Sequence, residues 1–320
     1  MIFKESKLGS DFAKSATLKA KKLIASSTSF TVVGMPGMGI SMFLRYLACN
    51  LPGCNVIHID INELKKPSKD ELLKLKELKN LEKLVHKYSR VVIIFNRFDN
   101  LQGEFDKQFF GNLRSLRDID KEKIVMVFSA NKPLPKIAPE ALSGGNLNMF
   151  SKSLFLEYSD KDLEALVKLN SPNLLKHKDF GEFLKLAGGH YQFLQLLLKE
   201  DQDAVTLQLK EIYENMDYKE RKFLQKHLET AFSPLFADYV KSVMRLRLPV
   251  KEAALFKLLK GKLGKLVSKD EIFNELWQDE VGSDWALNAL IYRLRKNPTF
   301  VASGYIIESN KKVGYSLIKV

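Results

Sequence analysis

Cysteine is scarce in this chain, with two in 320 residues, Cys49 and Cys54. That number excludes a disulfide scaffold and a four-cysteine zinc site. It fits reduced thiols in a cytoplasmic protein. Long apolar runs are missing too. None approaches the ~18 residues that a membrane-spanning helix needs. The opening MIFKESKLGS lacks the charged-then-apolar layout of a signal peptide, so the expected location is the cytoplasm, with no membrane partner. The five histidines, His58, His86, His177, His190 and His227, show no ligand spacing, and no metal site is expected. No Ser/His/Asp or Cys/His set marks a nucleophile. Acidic residues are also short, 38 Asp+Glu against 51 Lys+Arg, for a net charge of +13. The imbalance concentrates in residues 241–320, which hold 15 Lys/Arg and 8 Asp/Glu. A basic C-terminal module suggests a polyanionic partner; general solubility is the blander reading.

What is present is an alternation of apolar strands and amphipathic helices. Ser29–Gly34, Asn55–Ile61, Arg90–Asn96, Lys123–Ser129 and Ser153–Glu157 read as strands. Helices are predicted over Ser41–Asn50, Lys69–Tyr88 and Phe105–Leu116. Continuous β-branched runs separated by helices indicate a parallel sheet covered on both faces. This is a three-layer α/β domain over 1–158. From Ser159 the strands stop. Asp160–Leu169, Lys178–Leu186, Tyr191–Lys199, Ala204–Asn215 and Tyr218–Phe232 read as helices, an all-α lid over 159–245. Residues 246–320 form a third domain.

Between the first strand and its helix stands Gly34-Met35-Pro36-Gly37-Met38-Gly39-Ile40-Ser41. Placement and spacing match the phosphate loop G-x-x-x-x-G-K-[ST]. Glycines let backbone N–H groups approach phosphate, and the helix N-terminus adds its dipole. Ser41 stands where a hydroxyl would bind magnesium. The lysine position carries Ile40, which has no charge to offer. On the third strand the acidic position carries Asn96, followed by Arg97, with Asp99 three residues on. Ser129 and Asn131 end the fourth strand, where a polar residue usually senses the γ-phosphate. The candidate nucleotide residues are Gly34, Gly37, Gly39, Ile40, Ser41, Asn96 and Asn131. Losing two charges that hold Mg-ATP argues against hydrolysis. Three readings stay open: ATP or ADP held weakly by backbone amides and Ser41; a vestigial loop that binds none; and hydrolysis with another cation, Lys132 or Arg45.

The last domain opens with a helix whose apolar face is Ala254, Leu255, Leu258 and Leu259. Ser268 and Glu271 have capping-box spacing and begin a second helix, Lys269–Trp277. Ser283 or Asp284 caps a third, which runs to Lys296. Tyr305–Glu308 and Val313–Ile318 then read as a hairpin with the polar tip Ser309-Asn310-Lys311-Lys312. Together these make a winged helix-turn-helix. Its longest helix is of the kind that enters a major groove ~12 Å wide.

Two resemblances follow. Loop GMPGMGIS, strand VVIIFN, strand VMVFSAN and AGGHYQFLQLL (Ala187–Leu197) come in the order of an AAA-related ATPase of the STAND class, with Tyr191 where members of that class often carry proline. LPVKEAALFKLL, VSKDEIFNELW, ALIYRLRKN and KKVGYSL resemble the OmpR/PhoB-type DNA-binding domain over Leu248 to Ile318. The second resemblance implies duplex DNA as partner. The candidate contacts are Asn288, Tyr292, Arg293, Arg295, Lys296, Lys311 and Lys312. Leu290 stands where the family often has a polar residue, so phosphate contacts are expected to dominate base readout. Trp277 and Tyr315 fit the core as readily as the DNA backbone. Together the resemblances imply a transcriptional regulator with a hydrolysis-deficient nucleotide fold. An ATP-driven signalling switch, and a scaffold that binds protein through its lid or winged helix, remain the alternatives.

Overall fold

The computed structural model describes residues 3–143, 147–245, 248–277, 282–297, 300, 305–310 and 313–319. The chain divides into two compact units. One comprises residues 1–217 with 232–235, the other 218–231 with 236–320.

The first unit begins with helix α1 (Lys14–Ala25), whose Ala16, Ala20 and Ile24 recur every four residues and are buried. Small alanines among lysines make a faint periodic signal, and the sequence reading passes over this helix. Then come β1 (Phe30–Val33), α2 (Ile40–Cys49), β2 (Asn55–Asp60), three short helices α3 (Lys69–Leu73), α4 (Lys76–Lys79) and α5 (Leu81–Lys87), β3 (Val91–Asn96), α6 (Lys107–Asp118), β4 (Ile124–Ala130), α7 (Leu134–Ile137), α8 (Leu147–Phe150) and β5 (Ser153–Phe155). The strands pair in the order β2-β3-β4-β1-β5, every pair parallel. This is the expected α/β fold.

The single helix expected over Lys69–Tyr88 is corrected to three. Leu72 and Leu78 are both buried in one core. Six residues apart at ~100° each, they would sit about 240° apart on a straight helix and could not share a face. The chain resolves this by breaking at Leu75, whose ψ is 136°, and again near Asn80.

One face of the sheet is filled by aromatic rings. Phe95 stacks on Phe128 at 5.2 Å, and Phe98 packs against Phe128, Phe105 and Phe109. Phe110 and Phe150 close the cluster. These rings immobilise the ends of β3 and β4, which is where the polar residues of interest begin. The all-α segment of this unit comprises α9 (Asp160–Asn170), α10 (Phe180–Ala187), α11 (Tyr191–Leu198) and α12 (Gln202–Asn215). Ser159 and Asp162 cap α9 reciprocally.

The second unit contains α13 (Tyr218–Lys226), most of α14 (Pro234–Arg245), α15 (Val250–Gly261), β6 (Leu266–Ser268), α16 (Lys269–Leu276), α17 (Asp284–Lys296), β7 (Tyr305–Asn310) and β8 (Gly314–Lys319). The helix α14 was not expected; Ser233-Pro234 reads as a junction, but proline also suits the first position of a helix. Strands β6, β8 and β7 form an antiparallel sheet with β8 central. Leu255, Leu259, Ile272, Leu287, Leu290, Leu294 and Leu317 form its core. Ser268 caps α16 by accepting from the Glu271 amide at 3.2 Å. The reciprocal half of the expected capping box is absent, because the Glu271 carboxylate pairs with Lys262 instead.

Gly314 explains part of the Val313-Gly314-Tyr315 motif. A Cβ there would lie 2.0 Å from the Val267 carbonyl oxygen, in the backbone of the paired strand β6. Gly314→Ala should therefore destabilise the second unit by about 1–3 kcal/mol, the usual range for overpacking. Urea unfolding followed by tryptophan fluorescence checks this, since Trp277 and Trp285 both lie in this unit.

Candidate nucleotide cleft and nucleic-acid helix

The loop after β1 turns on Gly37 and Gly39, both with left-handed φ (85° and 94°) that favours glycine. Gly39 is the N-cap of α2 and offers no side-chain cap. The amides of Ile40 and Ser41 have no protein acceptor among the described residues. They are the orphan donors that every helix start leaves. They border a cleft of about 640 Å³ at the carboxyl ends of β1, β3 and β4. Gly34, Gly37, Gly39, Ile40, Ser41 and Asn131 all line it, together with Arg97, Asp99 and Lys199.

Asn96 is fully buried and lies behind this lining. Its Oδ1 accepts from Ser41 Oγ at 3.0 Å and from Ser129 Oγ at 3.4 Å. Its Nδ2 donates to Asp60 Oδ2 at 2.8 Å. Asp60 is 3% exposed and directly opposite Asn96 in the β2–β3 register. The same carboxylate pairs with Arg97 at 3.2 Å. A negative charge therefore exists at this edge, one strand away from the expected position. Asp60 was missed because only strand pairing, not sequence spacing, places it beside Asn96. Its one sequence signal is its place as the last residue of an apolar strand.

These residues do not fit magnesium. Asn96 carries no charge at the position where a carboxylate would hold the ion, and Asp60 is already matched by a cation. The two cations considered as lysine substitutes also lie elsewhere. Lys132 Nζ donates to the Asn215 carbonyl at 2.8 Å, and Arg45 pairs with the buried Glu5 at 3.4 Å. Arg97 and Lys199 are the cations that line the cleft. Arg97 has φ 57°, a left-handed conformation uncommon for a side-chain-bearing residue, and its amide is held by Ser129 Oγ at 2.7 Å. Asp99 accepts from the Asn131 amide at 3.0 Å, and burial raises its pKa.

The all-α segment closes on the other side of the loop. The Gln192 amide donates to the Gly37 carbonyl at 3.0 Å. His190, wholly buried, places Nε2 2.9 Å from the Pro36 carbonyl and accepts from the Phe193 amide through Nδ1. That pairing fixes the neutral tautomer with its proton on Nε2. Gln208 donates to Pro36 O and to Gln192 Oε1. His190 has no ligand spacing in the sequence, and it proves to be the latch of the loop.

In the second unit, Leu287, Leu290, Ile291 and Leu294 turn α17 inward. Leu290 is 1% exposed, so the position of a family base-reading residue belongs to the core. Trp285, Asn288, Tyr292 and Lys296 follow one another along the outward stripe, with Trp285 78% and Tyr292 64% exposed. Asn288 Oδ1 accepts from Tyr315 Oη at 2.7 Å. Arg293 pairs with buried Glu252 at 3.2 Å. Arg295 donates to the Ile307 carbonyl and Ser309 Oγ, both at 2.7 Å. Tyr315 is buried and Trp277 packs against the same core. Lys311 and Lys312 lie outside the described residues.

The strand order and glycine loop define the first unit as a P-loop NTPase fold, and three helices with a three-stranded wing define a winged helix of the OmpR/PhoB DNA-binding type. Residues 244–317 match the family model "Transcriptional regulatory protein, C terminal". No curated protein matches the chain. Among solved structures, the chain is similar to the Walker-type ATPase paby2304 of Pyrococcus abyssi at 13% identity and TM-score 0.46, over 99% of this chain and 95% of that one. It is similar to the Aeropyrum pernix Orc1 protein in complex with DNA at 12% identity and TM-score 0.41, over 96% and 88%. The Thermotoga maritima RuvB Holliday junction branch migration motor gives 12% identity and TM-score 0.37, over 99% and 96%. No helix among the described residues is long and apolar enough to cross a membrane.

Burial pushes the His190 imidazole down from the usual 6.5 to about 4. The unfolded chain therefore binds a proton that the folded one refuses between these values. Stability is full above pH 6.5 and falls as pH drops towards 4, by on the order of 3 kcal/mol from this group. His190→Asn can still cap α11 but lacks the reach to Pro36. Unfolding free energies measured at pH 7.5 and 4.5 should differ less in this variant than in the parent.

Proposed function

We propose that the chain is a DNA-binding transcriptional regulator whose STAND-like α/β domain is a regulatory module without hydrolytic activity. The observation that carries this is Asn96, neutral and hydrogen-bonded on both sides at the position where phosphoryl transfer needs a metal-holding charge. Of residues 159–245, the helices α9–α12 act as its lid, and 246–320 act as the DNA-binding output. Tyr292 and Lys296 contact DNA from the outward stripe of α17. Lys311 and Lys312 are further candidate contacts, and Asn288 is the base-reading candidate. Arg293 and Arg295 combine phosphate contact with a structural role, since each is tied to a neighbouring element.

Phosphate contacts dominate such an interface, so duplex affinity should fall steeply with salt. With six or more contacts the loss between 50 and 200 mM is on the order of a thousandfold. Lys296→Ala and Tyr292→Ala should weaken binding without lowering the melting temperature. Arg293→Ala should do both, because it strips the partner from a buried carboxylate. Gel shifts and thermal melts separate these outcomes. Affinity unchanged in all three variants would place the DNA interface elsewhere on the chain.

A second reading, an ATP-driven switch, is favoured by one observation: Asp99 offers the cleft a carboxylate whose pKa is raised. Released phosphate from Mg-ATP should not exceed the protein-free rate. Turnover in the parent that Asp99→Asn abolishes would replace the regulatory reading with this one.

A further inference from the structure

We propose that the cleft binds a nucleoside di- or triphosphate without a divalent cation, with Arg97 and Lys199 supplying the charge that a loop lysine and magnesium would otherwise supply. This rests on the reading that the α/β domain is a non-hydrolysing module, and it gives that module a ligand class.

Four independent features meet in one place. The Ile40 and Ser41 amides are open donors at the start of a ten-residue helix. The cleft they border is about 640 Å³, enough for a nucleotide. Its cationic lining comes from two different elements, Arg97 after β3 and Lys199 at the end of α11. The charge that would otherwise recruit a metal is missing or spent: Asn96 is neutral, and Asp60 is compensated by Asn96 and Arg97.

Arg97 is suited to the task. Its backbone is pinned by Ser129, and Asp60 holds Nη2 from behind. Its side chain remains 40% exposed. A guanidinium fixed on one side presents its remaining N–H donors as a planar fork, the geometry that phosphate accepts. Lys199 is exposed and closes the lining from the lid. Asp99 is the carboxylate facing this space, and it accepts a hydrogen bond from the Asn131 amide. A metal placed here would meet Arg97 at close range, so the cation the site accepts is its own.

The test is isothermal titration of the full chain with ADP and with ATP, once in excess magnesium and once in excess EDTA. Equal affinity in the two buffers is expected. Arg97→Gln should weaken binding on the order of tenfold or more, the size of one lost charge-assisted hydrogen bond. Because Arg97 also neutralises Asp60, Lys199→Gln is the second variant. Its exposed side chain can be changed without unfolding, and it should weaken binding several-fold. Binding that appears only with magnesium overturns the inference and leaves the nucleotide module standing. Binding in EDTA that neither variant alters also overturns it. No heat with either nucleotide in either buffer overturns the inference together with any nucleotide role, while leaving DNA binding untouched.

Discussion

A buried amide–carboxylate hydrogen bond, Asn96 to Asp60, organises the carboxyl edge of the sheet. It exists because β2 and β3 pair in a register that sets the two residues side by side. A carboxylate at 3% exposure needs compensation, since an unpaired buried charge is strongly unfavourable. Asn96 and Arg97 provide it from the neighbouring strand. Ser41 then has an acceptor waiting, and the loop after β1 takes its position from that bond. An aspartate at position 96 would face Asp60 across less than 3 Å of polar contact, and two carboxylates cannot both stay ionised at that range. The asparagine and the aspartate thus form one solution to one electrostatic problem.

Much of the fold was legible because its signals are local. Five apolar runs of strand length announce five strands, and the glycine loop names the junction after the first. The winged helix was legible for a similar reason: Leu287, Leu290, Ile291 and Leu294 keep helical spacing, and Gly314 marks a close approach of two backbones. Where local signals mislead, the cause is a tertiary demand. The Lys69–Tyr88 segment has the composition of one helix, yet Leu72 and Leu78 must reach the same core, and the chain breaks to let them.

The site was less legible than the fold. Ile40 and Asn96 stand out by replacing charged residues, and the structure places both where their spacing puts them. Asp60, Arg97, Lys199 and His190 come together only through the strand register, a left-handed backbone and the docking of α11. None has a motif. His190 in particular is one of five scattered histidines until the fold sets it against Pro36. The arginines of α17 illustrate the converse. Sequence marks them as free cations, whereas Arg293 and Arg295 each bridge to another element of the domain.

The grip of His190 and Gln208 on the loop has an electronic side. A peptide group that accepts a hydrogen bond at its oxygen becomes a better donor at its nitrogen, since the two ends share one conjugated system. The Pro36 carbonyl takes bonds from His190 and Gln208. The nitrogen of that same peptide unit belongs to Gly37, on the rim of the cleft. The contacts of His190 and Gln208 on one side of the loop therefore polarise the backbone towards the other, so that residues behind the loop tune the donor strength of an amide on the rim of the cleft.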